Sequence, residues 1–491
     1  MRFKPNHRRI FALFKRILIV LSIIFLIYWI RGYLFADQYD PNYDPHLSDE
    51  RRIAIYDRMI QVFRSRERAN RTGDSTRYYR KRPETEHVDC GRVLAGDKSY
   101  TQSLTGFHRT PLIPDPQLDM SCHAVRRRLH PYPSALKPLK VGVAFARIVY
   151  MDYEFIEKQI AASFHPQNLF CFVVDRKADA DFREKMKTMA ACFDNIVLVP
   201  VLYDFDSAGH NHNLGHYKCM EQVLREPGWN YLFLLQNHDV VTKTVYELAR
   251  VYELLGGAND VEVTHEVGRL DKRLRWDPRW LKLFRNESAY DSALLDTSMK
   301  FAKGDSEGSM SREAVDWLVN TVDLSIFIDQ WNQTGYGCDE QFLASFQVNS
   351  AFGMPGHFTD ECLLKGISTD HASKMRQWVH LSENRTSWRR CSAKTIRHSV
   401  CLMGIEDLRT LAAYPNLMVN KMMPSFDYSI VECTAELLHN RTFLGQTDHP
   451  LDEEYYSSLV HVIYHKHHRE PGFQLQCTPN RTQWTQLPYP V

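Results

Sequence analysis

Between residues 140 and 239 the chain alternates short, uninterrupted apolar runs with stretches of helical spacing, and this pattern constrains the fold more than any other feature. Lys140-Val-Gly-Val-Ala-Phe-Ala146, Leu169-Phe-Cys-Phe-Val-Val174, residues 195–202 and Asn230-Tyr-Leu-Phe-Leu-Leu235 read as strands. Residues 153–164, 179–192 and 212–225 carry helical periodicity. Strands that are apolar at every position are buried on both faces, and their alternation with helices gives βαβ units around a mostly parallel sheet. Such α/β sheets bind ligands beyond the carboxyl ends of their strands, where Asp175 and Asp239 fall. A chain of 491 residues accommodates one large α/β domain with extras, or two to three domains. With 44% apolar and 24% charged residues it is not a disordered or low-complexity chain.

Charge is distributed unevenly. The total is 61 − 59 = +2, which gives no reason to expect nucleic-acid binding. Residues 1–36 carry Arg2, Lys4, Arg8, Arg9, Lys15, Arg16 and Arg31 and no acid. Residues 17–35 are almost entirely apolar, and at 1.5 Å per residue they span about 28 Å, close to a bilayer core of ~30 Å. Arg31 can snorkel, and Tyr28, Trp29 and Tyr33 suit a membrane interface. No small-x-small cleavage site follows, so a retained signal anchor is preferred to a cleaved signal peptide. The basic residues ahead of it predict a cytosolic N-terminus. The expected organisation is a cytosolic tail (1–16), an anchor (17–35), an Arg-rich polar stem (36–86), a catalytic domain (87–443) and a C-terminal extension (444–491).

A lumenal body agrees with two further patterns. Asn-x-Ser/Thr acceptors occur at Asn70, Asn286, Asn332, Asn384, Asn440 and Asn480, all beyond the anchor. All eleven cysteines lie there too, widely spaced and without a CxxC pair, as expected of disulfides in an oxidising compartment. Eleven is odd, so at least one thiol stays free or pairs between chains, which would link a homodimer.

Asp204-Phe-Asp206 has the Asp-x-Asp form with which many nucleotide-sugar enzymes hold a metal, but ordinary loop acids are the preferred reading. Asn237-His238-Asp239 offers one carboxylate only. His212 and His216 are four apart and could share a helix face as metal ligands. No Glu lies between them in an HExxH pattern, and a polar loop and helix start is preferred. No GxGxxG or GxxxxGK[ST] loop is present, so dinucleotide and P-loop readings fail.

Several blocks, taken in order, carry a resemblance. Cys90-Gly-Arg-Val-Leu-Ala-Gly-Asp97 is followed by Pro166-Gln-Asn-Leu-Phe-Cys-Phe-Val-Val-Asp175, Cys192-Phe-Asp-Asn195 and Lys218-Cys-Met220. Gly308-Ser-Met-Ser-Arg-Glu313, Cys338-Asp-Glu-Gln-Phe342 and residues 399–408 come next, then Asn420-Lys421 and Cys433. Over residues 87–443 the chain resembles the core-2/I-branching β-1,6-N-acetylglucosaminyltransferases (glycosyltransferase family 14), in particular nematode-type members. The resemblance implies a GT-A-like nucleotide-sugar-binding fold and a Golgi type II membrane enzyme. It implies inverting transfer from a UDP-sugar, most readily UDP-GlcNAc, to a hydroxyl of an O-glycan or glycoprotein acceptor, with no metal required. UDP-glucose or UDP-xylose as donor, and a silent lumenal glycan-binding protein, are the alternatives.

The site residues follow from the same resemblance. Glu340 is the expected base, on a glycine-flanked loop ahead of a helix over 341–346, where a carboxylate is favoured by the helix dipole. Lys421 and a basic residue before the Ser-Val-Cys segment would hold the diphosphate. Strict register puts His398 there, but the permanently charged, forked Arg397 is the stronger phosphate partner. Asp175 would accept from the uracil or ribose, and Glu262 would bind the acceptor. Implied disulfides are Cys90–Cys433, Cys122–Cys192, Cys171–Cys219 and Cys391–Cys401. Cys338, Cys362 and Cys477 are left over; a 338–362 bridge would brace the loop beside Glu340.

Overall fold

The computed structural model describes residues 78–369, 371–379 and 390–478. The expected tail, the anchor at 17–35, most of the stem and the acceptors Asn70, Asn384 and Asn480 lie outside the described residues. Among those described, no helix is long and apolar enough to cross a membrane.

Strands β1 (Gly142–Val149), β2 (Leu169–Val174), β3 (Ile196–Leu198) and β4 (Trp229–Leu235) run parallel in the order β3-β2-β1-β4. Every residue of β1 and β2 is buried, as their unbroken apolar character requires. Successive side chains enter opposite cores: Val143, Phe145 and Val149 pack on one face, Ala144, Ala146 and Ile148 on the other. Helix α1 (Cys90–Ala95) precedes the sheet; α2 (Tyr153–Ser163), α3 (Ala180–Ala191) and α4 (His212–Val223) are its crossovers. The third strand is shorter than its apolar run. It lies at the sheet edge with one neighbour, and Val201 beyond Pro200 is half exposed.

A two-residue strand, β5 (Val240–Val241), follows the turn after β4. Strands β6 (Thr264–His265) and β7 (Ala302–Lys303) form a short antiparallel pair. Strand β8 (Ser309–Ser311) adds antiparallel to the open side of β4, an element the sequence pattern did not reveal. A second sheet has the order β5-β12-β9, with β9 at Lys374–Arg376 and β12 at Met418–Asn420. The hairpin β10–β11 (Ile396–Arg397, Val400–Cys401) turns through His398 and Ser399, both at positive φ. Asp239 joins the sheets: its carboxylate accepts from the Asn420 side chain on β12 at 2.7 Å and from the Gln236 N–H after β4 at 2.6 Å. The fold is thus mixed α/β with a mostly parallel central sheet.

Disulfides join Cys90–Cys433, Cys122–Cys192, Cys171–Cys219, Cys391–Cys401 and Cys362–Cys477. Cys338 is free and buried, so the suggested 338–362 bridge is replaced by one that fastens the C-terminal segment. The Cys90–Cys433 bond ties α1 to α6 (Tyr428–His439) across 343 positions; in the chain-entropy account such a loop stabilises by about 5 kcal/mol.

Both ends of the described chain are built into the body. Residues 78–86, expected as the end of the stem, pack on α6: the Thr85 hydroxyl and the Arg82 N–H donate to buried Glu432, which also meets Lys158 at 2.9 Å. In the C-terminal segment, Tyr455 and Tyr456 enter the main core. Helix α7 (Val460–His467) brings His461 to within 3.0 Å of buried Asp260.

Candidate active site

A cleft lies beyond the carboxyl ends of β1 and β4, at the point where the strand order reverses, as expected for an open α/β sheet. Its walls come from the end of β4, the loop at 336–340, the segment 305–307, strand β9, the β10–β11 turn and the end of β12. Glu340, Lys421 and His398 all line it.

Glu340 is set by glycine geometry. Gly337 has φ +65, a conformation that strains other residues, and a Cβ there would lie 1.8 Å from Arg269 Nη1 and displace the guanidinium that pairs with Glu340. Gly337 and Cys338 donate their N–H groups to Ala208 O, and Gly304 donates to Glu340 O at 2.8 Å. Helix α5 (Phe342–Val348) starts two residues later than Glu340, which therefore stands just before the first turn rather than in it. Glu340 Oε2 is ion-paired with both Arg269 and Lys303, the latter at 3.0 Å.

Asp339 also lines the cleft but is held in a pair of its own. His212 Nδ1 lies 3.1 Å from Asp339 Oδ2. Burial would raise this carboxyl, but the His212 hydrogen bond and charge outweigh it and hold it below its usual range. Burial would likewise lower His212, yet Asp339 leaves it raised. Gly209 closes over the pair: a Cβ there would lie 2.1 Å from Asp339 Oδ1. Asp239 is fully buried with its oxygens accepting from Asn420 and Gln236.

Positive charge gathers opposite Glu340. Burial, then repulsion from Arg397 and Lys374, pushes Lys421 down to about 8. Arg397 is exposed and within the field of Lys421, with its guanidinium 3.4 Å from Met423 Sδ. Asp175, buried at the end of β2, accepts the Lys177 N–H at 2.9 Å. It acts on Tyr150 together with Arg397 and so lies on the same side of the site, outside the cleft lining proper.

Sequence reasoning missed a buried network. Arg376 forms a two-pronged pair with Glu262 at 2.9 and 2.8 Å and also pairs with Asp305. Lys374 meets Glu307 at 2.6 Å and Asp305 at 3.7 Å. Burial would raise Asp305, but Arg376 and Lys374 hold it far below the usual range. Glu262 therefore reaches the cleft only through Arg376. The available signal was the period of two in Lys374-x-Arg376-x-Trp378, which puts three cleft-lining side chains on one face of β9 and its extension. Ser373 and Met375, between them, point to the Asp260 carboxylate and the core.

The metal alternatives are not assembled. Asp204 pairs with Arg176 at 2.5 Å, and Asp206 with His210 at 2.7 Å. His216 is buried, with Nε2 3.2 Å from Leu235 O, and burial pushes it down to about 4. Among the described residues the one cluster of three ligand-type groups contains the Cys90–Cys433 disulfide.

A carboxylate and fixed cations meeting at the switch point of an α/β sheet define an enzyme site for an anionic, nucleotide-type substrate. The chain belongs to the Core-2/I-Branching enzyme family, whose model matches residues 143–412. It is 24% identical over 382 residues to rat "Beta-1,3-galactosyl-O-glycosyl-glycoprotein beta-1,6-N-acetylglucosaminyltransferase 3", covering 74% of this chain and 85% of that one. The zebrafish protein with the same name and the number 4 is 25% identical over 313 residues, covering 61% and 70%. Among solved structures, the S. cerevisiae mannosyltransferase Ktr4p aligns with 45% of this chain and 56% of its own at 11% identity, with a TM-score of 0.15, too slight to carry an argument. This protein is an enzyme that transfers sugars.

Proposed function

We propose that this enzyme moves GlcNAc from UDP-GlcNAc to the 6-hydroxyl of a sugar in an O-glycan, with inversion and without a metal ion. The observation that carries the reading is that Glu340 and Lys421 line one cleft at the switch point of the sheet. In the step, the acceptor oxygen bonds to the anomeric carbon as the carbon–phosphate oxygen bond breaks. The bonding pair leaves with UDP, and the hydroxyl proton passes to Glu340. Arg269 and Lys303 both engage Oε2, which orients the carboxylate. Lys421, with Arg397 or His398, supplies fixed positive charge for the leaving diphosphate, the task a metal performs elsewhere. Asp175 holds the uridine end. Glu262 acts on the acceptor through Arg376, the side chain of the pair that lines the cleft.

The enzyme is read as a Golgi type II protein anchored by residues 17–35, with the domain limits set out above and the catalytic body in the lumen. The relatives' printed names support the acceptor class and the linkage. The test is a donor screen of the purified full-length protein with Galβ1-3GalNAc-type acceptors, run with and without EDTA. Transfer from UDP-GlcNAc that survives chelation is expected. Transfer only from UDP-glucose or UDP-xylose would replace the donor, and loss on chelation restored by manganese would end the metal-free mechanism.

A further inference from the structure

We infer that Glu307 is a specificity-determining residue whose Oε1 accepts a hydrogen bond from the sugar being transferred, a hydroxyl or the N–H of an acetamido group. This rests on the donor reading above and deepens it.

Glu307 lines the cleft on the segment just before β8, yet it is only 1% exposed. Its two oxygens differ. Oε2 is taken by Lys374 Nζ at 2.6 Å and by the Ser306 hydroxyl at 3.1 Å. Oε1 is buried and has no hydrogen-bond partner among the described residues. A buried carboxylate oxygen left unpaired costs more than its neighbours return, and such an atom in a cleft wall marks a place where a ligand completes the bonding.

The position selects the ligand. The transferred sugar must lie between the diphosphate anchor and the base, because its anomeric carbon is bonded to the leaving oxygen and attacked by the oxygen that Glu340 deprotonates. Glu307 lies within the electrostatic reach of Lys421 on one side. On the other, Ser306 accepts from Gln236 Nε2 at 3.1 Å beside His212 and Asp339. Lys374 and the Ser306 hydroxyl both hold Oε2, which leaves Oε1 as the oxygen able to accept from a bound ligand. A fixed acceptor rejects a sugar that lacks the matching donor, because the oxygen is then stranded again. Burial, opposed by Lys374 and assisted by Asp239 and Asp305, pushes Glu307 up to about 7.

The test is a kinetic cycle on the full-length enzyme with UDP-GlcNAc and its 3-deoxy, 4-deoxy and 6-deoxy analogues, and with UDP-glucose. One of these donors should lose roughly 10- to 100-fold in kcat/KM with the wild type, the range of a hydrogen bond to a charged group. Glu307→Ala should lose a similar factor with UDP-GlcNAc and little more with that same analogue, since the two changes remove one contact. Glu307→Asp keeps the charge beside Lys374 but withdraws Oε1, and should show the same donor pattern. UDP affinity by calorimetry and acceptor KM should stay near wild-type values, which also reports on folding. Equal penalties for every analogue in wild type and variants would overturn the inference, as would an effect confined to acceptor KM. A wild-type enzyme that transfers from no UDP-sugar would instead overturn the parent reading, and this inference with it.

Discussion

Replacing Glu340 by Gln tests the proposed chemistry most directly. The amide keeps the size of the side chain and can still face Arg269 and Lys303, but it cannot take a proton. An acceptor hydroxyl has a pKa far above neutrality, and a positioned base contributes typically 10²–10⁴-fold. At 1.36 kcal/mol per decade this is about 2.7–5.4 kcal/mol of transition-state stabilisation. The three charged side chains keep only 19, 23 and 18% of their accessible surface, so the pairs are largely buried; the amide oxygen of Gln still accepts from the cations, and the cost to the fold is about 1–3 kcal/mol. The variant should stay folded, bind UDP with wild-type affinity by calorimetry, and lose the stated factor in kcat in a UDP-release assay with saturating acceptor. A folded Glu340→Gln enzyme with near-wild-type turnover would refute the reasoning. Asp239 could not substitute, since its oxygens are occupied by Asn420 and Gln236, and Asp339 is committed to His212.

Lys421→Ala should raise donor KM and lower kcat together, because the lost charge acts on the diphosphate before and during bond breaking. With its pKa lowered to about 8, Lys421 loses its proton as pH rises through that value, so donor KM should climb above pH 8 in the wild type and stay flatter in the variant; parallel pH profiles would exclude it as the anchor. Glycan mapping by mass spectrometry should find Asn286 occupied and Asn332 largely bare. Asn286 is exposed on a loop, whereas the Asn332 amide exchanges hydrogen bonds with Asn211 at 3.0 and 3.1 Å; full occupancy at Asn332 would contradict that packing. Cys338 should resist iodoacetamide until the chain is denatured, since it is buried and burial pushes its thiol up to about 12; rapid labelling of the native protein would place it elsewhere.

The βαβ core was legible because burial on both faces leaves no alternation to misread, and helices 153–163, 180–191 and 212–223 stand within two residues of their periodic segments at each end. Strand β8 was not legible: three residues, two of them serines, carry too little pattern, and its place is fixed by pairing with β4. Glu340, Lys421 and His398, singled out by the motif blocks, line one cleft, whereas Arg397, preferred to His398 for the diphosphate, and Asp175 are not in its lining. Of the network of Glu262, Asp305, Glu307, Lys374 and Arg376 only Glu262 was singled out; the other four were hidden, because the members are up to 114 positions apart and each of the four alone reads as a surface charge. The pairing of Cys362 with Cys477 was hidden for the same reason, as nothing local distinguishes it from a bridge to Cys338.

Strand β9 separates two kinds of freedom along six residues. Ser373 is bonded to Asp260 and Met375 is set in the core, so they carry the strand's attachment to the body. Lys374, Arg376 and Trp378 project into the cleft from the alternate positions. The pleat keeps the two sets apart, but Lys374 and Arg376 also neutralise the acids Glu307, Asp305 and Glu262, so only changes that keep those charges leave the body undisturbed. Change along this wall is therefore bounded by charge, because the acids behind it dictate which cations must stay.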